Sequence, residues 1–182
     1  MKMSECWPAM LAAMVFVIFC CGTTAHAVSS EHMGLLHVLE TDQVAYTLSD
    51  TVFISYTVTN VSDTTAHILL ALLHCPTFVQ IYEPSGDLIW SNPAGCVDEA
   101  GWGTLLPGEA YSNQPMWDMT LGVSGVPIDE PGIYRITGHL TAYDEYGFGM
   151  ELDIAIVDPT SDVLSEPGDL VGTWGLLKSL FR

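Results

Sequence analysis

Between residues 35 and 158, apolar and polar positions alternate with a period of two, and no helical stripe interrupts them. That pattern predicts strands. A first extended piece runs near Leu35–Leu39, followed by Val44 to Leu48 and a Ser49-Asp50 turn. Val52, Ile54, Tyr56 and Val58 then face one way, while Phe53, Ser55 and Thr57 face the other. Asn60-Val61-Ser62-Asp63 turns the chain into Ala66, Ile68, Leu70 and Leu72, and these two runs read as a hairpin. A shorter hairpin pairs Phe78–Tyr82 with Leu88–Ser91 across a Glu83-Pro84-Ser85-Gly86-Asp87 turn. Residues 92 to 104, with Pro93, Gly95, Gly101 and Gly103, read as a loop, and a strand is expected near Ala110–Met119. Residues 120 to 130 form a second predicted loop, and strands at 133–141 and 148–157 complete the set.

The beginning of the penultimate strand carries the most specific signal. Pro131-Gly132 is a tight-turn pair, and Tyr134 lies two residues past that glycine, where an immunoglobulin-like sandwich has its tyrosine corner. Ile136 then stands where antibody domains have their second core cysteine. The prediction is an all-β, immunoglobulin-like antiparallel sandwich of about seven to nine strands, without the antibody disulfide.

Leu106-Pro107-Gly108-Glu109, Trp117, and the run from Asp129 to Gly138 recur with Val58-Thr59-Asn60-Val61-Ser62 and Gly86-Asp87-Leu88-Ile89-Trp90. In order and spacing these pieces resemble the BsuPI domain, the bacterial intracellular proteinase inhibitor family, over roughly residues 50 to 142. The resemblance implies an immunoglobulin-like fold, and a serine protease as partner. Two departures stand against carrying over inhibitory residues. The chain has an export signal where the family's founding activity is cytoplasmic. Residues Cys75 to Gln80 also replace a polar, Gln-containing turn expected there in the family.

The first 27 residues read as a signal peptide. Lys2 precedes an uninterrupted apolar run from Leu11 to Cys21, and Ala25-His26-Ala27 offers a small-x-small cleavage site. That apolar run is too short for a transmembrane span, which needs about 20 residues. The competing reading is a lipoprotein signal ending at Cys20 or Cys21, though bulky Phe19 and Cys20 precede those cysteines. A secreted or periplasmic location is expected. Residues 159–168 read as a linker, and Leu170, Trp174, Leu177 and Phe181 then recur at helical spacing in a short C-terminal tail or helix.

Of 182 residues, 155 follow the signal, enough for one domain with a tail. The net charge of −18 disfavours nucleic acid and anionic lipid, and suits a cationic partner, calcium or a saline habitat. Cys75 and Cys96 are the only cysteines outside the signal. In an oxidising compartment they are expected to form a disulfide, worth on the order of 3 kcal/mol. Zinc is a poor rival because the histidines lack ligand spacing.

No arrangement of residues points to catalysis, to a metal or to a cofactor. Gly122-Val123-Ser124-Gly125 lacks the spacing of a nucleophile elbow. His67 and His74 would face opposite sides of one strand, and the acidic pairs at 98–99, 129–130 and 144–145 lie in predicted loops. No loop has EF-hand spacing. Trp90 and Trp117 fall on strands and read as core. Trp102 falls in the glycine-rich loop, where it either folds back over the end of the sandwich or stays exposed as a binding anchor. Pro93, Gly95 and Trp102 are therefore the candidate binding residues of a secreted, non-catalytic module. The competing reading is an acidic structural or adhesive envelope module without inhibitory activity.

Overall fold

The computed structural model describes residues 25–92, 96 and 99–158. Strand β1 (His26–His32), β2 (Leu35–Thr41) and β4 (Val52–Asn60) pair antiparallel in that order. The far edge of β4 is taken by β9 (Ala110–Asn113) and, further along, by β10 (Met116–Trp117). The second sheet runs in the order β3 (Ala45–Thr47), β14 (Gly149–Val157), β13 (Gly132–Leu140), β6 (Thr77–Tyr82) and β7 (Leu88–Asn92). Its pairings are antiparallel except that β3 runs parallel to β14. Two small ribbons stand apart: β5 (Ala66–Leu70) with β8 (Gly101–Leu105), and β11 (Thr120–Leu121) with β12 (Val126–Pro127).

The two large sheets face each other across one apolar core, as period-two alternation requires. In β4, Val52, Ile54, Tyr56 and Val58 are buried, and their neighbours Phe53, Ser55, Thr57 and Thr59 are not. Val79 and Ile81 of β6, Tyr134 and Ile136 of β13, and Leu152, Ile154 and Ile156 of β14 close on them from the other sheet. Each large side chain so buried stabilises the fold by about 1.5–3 kcal/mol. The result is an immunoglobulin-like sandwich. Ile136, at the position of the antibody cysteine, is fully buried.

The tyrosine corner forms as expected. Tyr134 Oη donates a 2.7 Å hydrogen bond to the Glu130 carbonyl, tying the start of β13 to the turn before it. Its ring lies 5.8 Å from that of Trp117, whose indole N–H donates to the Thr120 carbonyl at 2.9 Å. The two turns that carried the resemblance also meet. Asn60 N–H donates to the Glu109 carbonyl at 2.9 Å, and Gly108 N–H donates to the Asn60 carbonyl at 2.8 Å. The buried Asn60 amide reaches the Thr64 and Leu105 carbonyls, while its Oδ1 accepts from Ser62 N–H and Ser62 Oγ. An Asn there satisfies both strands where they leave the sheet.

Several expectations need correction. The run at 66–72 is not the hairpin partner of residues 52–58: both edges of β4 are already occupied, and β5 crosses over to pair with β8. Residues 101–105 are strand rather than loop. Their glycines mark close packing: a Cβ at Gly101 would lie 2.7 Å from Leu73 Cδ2, and one at Gly103 2.6 Å from Leu70 Cδ1. The expected strand at 110–119 is broken at Gln114-Pro115, where proline has no N–H for the ladder. The loop at 120–130 contains the β11–β12 ribbon, closed by a 3-10 turn at Gly122–Ser124. Strand β1 begins at His26, so the expected cut after Ala27 falls inside it and leaves Val28–His32 to pair with β2. Most of the expected signal peptide (residues 1–24), and the linker and tail (residues 159–182), lie outside the described residues.

One buried polar pair sits in the core. His37 is fully buried, and its Nδ1 lies 2.8 Å from Tyr56 Oη, while its Nε2 has no hydrogen-bond partner among the described residues. Phe148 packs edge-on against the imidazole at 4.9 Å. Burial, with a smaller contribution from His32, lowers the His37 pKa from 6.5 to about 4. The unfolded chain therefore binds a proton that the folded chain refuses between these values, and stability rises with pH across that window.

Two measurements follow from this geometry. Urea unfolding at pH 7.5 and at pH 4 is expected to differ by on the order of 2–3 kcal/mol from His37 alone, with the stability lost as pH falls. The His37→Leu variant loses that component of the slope, and an unchanged slope would contradict the assignment. Tyr134→Phe is expected to lower unfolding free energy by about 1–2 kcal/mol, because the Glu130 carbonyl loses its donor.

Candidate functional site: an aromatic row on a disulfide-tied ribbon

The β5–β8 ribbon is closed on itself and held against the sandwich by three separate ties. The first is covalent: Cys75 and Cys96 are joined by a disulfide with Cα atoms 6.2 Å apart. The second is backbone pairing around the turn that follows β5, where Leu73 N–H donates to the Glu99 carbonyl at 2.9 Å. The third joins the ribbon to the connection between β13 and β14. Leu70 bridges Ala142, Tyr143 N–H donates to the Leu69 carbonyl at 2.8 Å, and Thr141 N–H donates to the Pro76 carbonyl at 2.8 Å. Asp144 completes this tie by accepting from Leu69 N–H through Oδ2 at 3.3 Å and from Tyr146 N–H through Oδ1 at 3.0 Å. That carboxylate holds backbone, which explains one member of an acidic pair without a ligand.

The ties bring three apolar side chains into one row. Trp102 is directly opposite Leu69 in the β5–β8 register, and Tyr143 lies beside Leu69 on its other side. Trp102 is 67% exposed and Tyr143 62%, with half-buried Leu69 between them. Two interstrand steps separate the aromatic residues, so their backbones stand about 10 Å apart. His67 and Thr104, also opposite each other, continue the same face one step along and are both exposed. His74 and Glu99 form an exposed 3.1 Å pair near the base of the ribbon. Exposed large aromatic residues on a pinned backbone are the usual anchors of a binding surface, since little freedom remains to be lost on docking.

Of the three candidate binding residues, the structure places Trp102 on β8 with its side chain exposed, which decides against its folding back over the sandwich. Pro93 and Gly95 lie outside the described residues. The expected Cys75–Cys96 disulfide forms. Of the tryptophans read as core, Trp117 is fully buried and Trp90 half-buried against the core. Leu69 and Tyr143 were not anticipated. Tyr143, an aromatic residue between a strand and an acidic pair, is a recognisable turn residue, but its contact with Leu69 spans more than seventy positions and leaves no local trace.

His32 and His37 pack on the same Phe148 ring, His26 starts β1, His139 lies on the outer face of β13, and His67 and His74 are on the ribbon. Among the described residues no group of three or more His, Cys, Asp or Glu side chains is placed to hold a metal. Among the same residues, no helix is long and apolar enough to cross a membrane.

No family model matches this chain. No curated protein matches it either. Among solved structures, a β-glucosidase from Erythrobacter marinus is similar at 15% identity and a TM-score of 0.40, covering 73% of this chain and 16% of the enzyme. A sporulation control protein from Bacillus subtilis is similar at 13% identity and a TM-score of 0.41, covering 72% of this chain and 49% of that one. A CARDB domain from Pyrococcus furiosus, solved in complex with di-metal ions, is similar at 15% identity and a TM-score of 0.34, covering 74% and 86%. At these TM-scores the likenesses carry no inference about activity, and the chain spans only 16% of the β-glucosidases it matches.

Removing the disulfide tests whether it stiffens the row. The paired Cys75→Ser and Cys96→Ser substitutions are expected to lower unfolding free energy by on the order of 3 kcal/mol. Amide hydrogen exchange should rise in β5 and β8 well before it rises in β4 and β13. Equal loss of protection throughout would mean that the ribbon and sandwich unfold as one unit.

Proposed function

We propose that this chain is an exported, non-catalytic binding module that grips another protein through the Trp102–Leu69–Tyr143 row. The observation that carries the reading is the 67% exposure of Trp102 on a ribbon fixed by a disulfide and two sets of backbone bonds. A solvated tryptophan on a flexible loop would pay most of its contact energy back in ordering, and this one stands on strand backbone. The disulfide is compatible with an oxidising compartment outside the cytoplasm. The charge of −18 favours a partner with a basic rim around an apolar contact.

The resemblance to the proteinase inhibitor family supplies the class of partner to try first, a serine protease. A rigid strand-borne row could lie across such an enzyme without offering a mobile peptide to be cut. Titration of a subtilisin-like protease with the purified protein is expected to give stoichiometric inhibition without cleavage of the module. Trp102→Ala and Tyr143→Ala are each expected to weaken inhibition by about 30-fold, or 2 kcal/mol, with melting temperature unchanged. Inhibition indifferent to both substitutions would remove the row from the reading. No inhibition at micromolar protein would remove the protease, and would favour the acidic adhesive module instead.

A further inference from the structure

The outer face of the second sheet carries chemistry that the Trp102 row does not use. A recess of about 740 Å³ opens there, floored by β13 and β14 and walled on one side by Tyr82 and the 83–86 turn. Its volume falls within the range of small-ligand sites, about 300–1,000 Å³. We propose that this recess binds a neutral saccharide, gripped by Tyr82, Arg135, His139, Glu151 and Asp153.

The polar groups of the floor are already oriented by one another. Arg135 Nε donates to Asp153 Oδ1 at 3.3 Å, and Arg135 Nη1 lies 3.4 Å from Glu151 Oε2. His139 Nε2 is 2.8 Å from Thr137 Oγ1, and Tyr82 Oη donates to Gln80 Oε1 at 3.0 Å. The His139 ring leans over Gly149, where a Cβ would come within 2.7 Å of Nδ1, and it packs on Phe78 at 5.3 Å. Cross-strand register therefore lines up donors and acceptors in alternation, Tyr82–Arg135–Asp153 in one row and Gln80–Thr137–Glu151 in the next.

Charge selects the class of ligand. Arg135 is the only Lys or Arg among the described residues; Asp153 and Glu151 already outweigh its charge, and Glu83 in the wall adds a further negative one. The recess thus lacks the spare positive charge that an anion needs, and the surrounding field of a −18 chain opposes one further. A cation would meet the guanidinium in the middle of the floor. Burial lowers the His139 pKa, opposed in part by Glu151, so the ring is offered uncharged at neutral pH. A neutral polyol fits what remains. Each sugar hydroxyl can donate to a carboxylate and accept from the guanidinium, whose bond to Asp153 occupies one of its five N–H donors while Glu151 stands 3.4 Å from Nη1. The Tyr82 ring supplies an apolar surface of the kind that packs on a pyranose.

The test uses the whole purified protein and three neutral probes, cellohexaose, laminarihexaose and maltohexaose, each at millimolar concentration and followed by NMR. At least one is expected to give saturable shifts confined to residues 82, 135–139 and 151–153. Arg135→Gln and His139→Ala should each weaken that binding by about tenfold, with melting confirming that both variants fold. Trp102→Ala should bind the same probe as the parent does. Absence of a saturable shift with all three probes would overturn the proposal. So would shifts that map to Trp102, binding unchanged in both variants, or tighter binding of polygalacturonate than of any neutral probe. Apart from shifts at Trp102, none of those failures touches the protein-binding row, which is read on a separate surface.

Discussion

Tyr56 of the first sheet packs against Gly138 of the second so closely that a Cβ at residue 138 would lie 2.5 Å from the ring. That single contact sets how near the two sheets can come. Any side chain at residue 138 would push the ring back and separate the layers, at a cost typical of an overfilled core. The same tyrosine reaches His37 through its hydroxyl, so the closest approach of the sheets is also where the core keeps its buried polar pair. Core geometry and the acid sensitivity of the fold thus have one origin. A phenol that must be covered on its face by glycine has to find a polar partner at its tip.

With the sheets fixed at that distance, everything recognisable as a binding feature lies outside the core. The β5–β8 ribbon belongs to neither large sheet and is joined to them by Asn60, the disulfide and the Ala142 bridge. Its inward residues Ala66, Ile68, Leu70 and Leu105 belong to the same buried core as β4 and β13, so only its outer face can vary without disturbing that packing. The outer face of the second sheet follows the same rule, its side chains alternating with core residues on the same strands. A substitution at Arg135 or Glu151 leaves Tyr134 and Leu152 untouched, because neighbours on a strand point to opposite faces.

What was legible in the sequence was whatever the chain decides over short distances. The tyrosine corner spans four residues, and the β6–β7 and β13–β14 hairpins each close over one turn, so period, glycine and proline sufficed to place them. The partner of β5 was not legible in the same way. Proximity in the chain argued for β4, and only the filling of both β4 edges excludes it. Gly101 and Gly103 misled for a related reason. A glycine that admits a neighbouring side chain and a glycine that lets the backbone turn look alike until the neighbour, here Leu73 or Leu70, is known. Trp102 stands out in the sequence as the tryptophan in a glycine-rich stretch, and its side chain is exposed, but its neighbours in the fold are residues 69 and 143, which no local pattern joins to it.

The distribution of charge completes the picture. A chain with so many carboxylates could be expected to use them as ligands, yet several of those that touch anything hold its own backbone. Asp42 accepts from Tyr46 Oη and Phe53 N–H, Asp50 from Thr47 N–H, and Asp144 from Leu69 N–H. Each of these acids closes a turn or pins a strand end, where a carboxylate accepts N–H groups that the ladder leaves over. Their negative charge is then a by-product of how the strands are connected, and it forms a background field around two surfaces of different character. One surface is aromatic, with Glu99 and Asp144 near it, and the other holds a single guanidinium outnumbered by its carboxylate neighbours. Any selectivity at either would have to come from shape and hydrogen-bonding geometry, because the field itself is shared by the whole molecule.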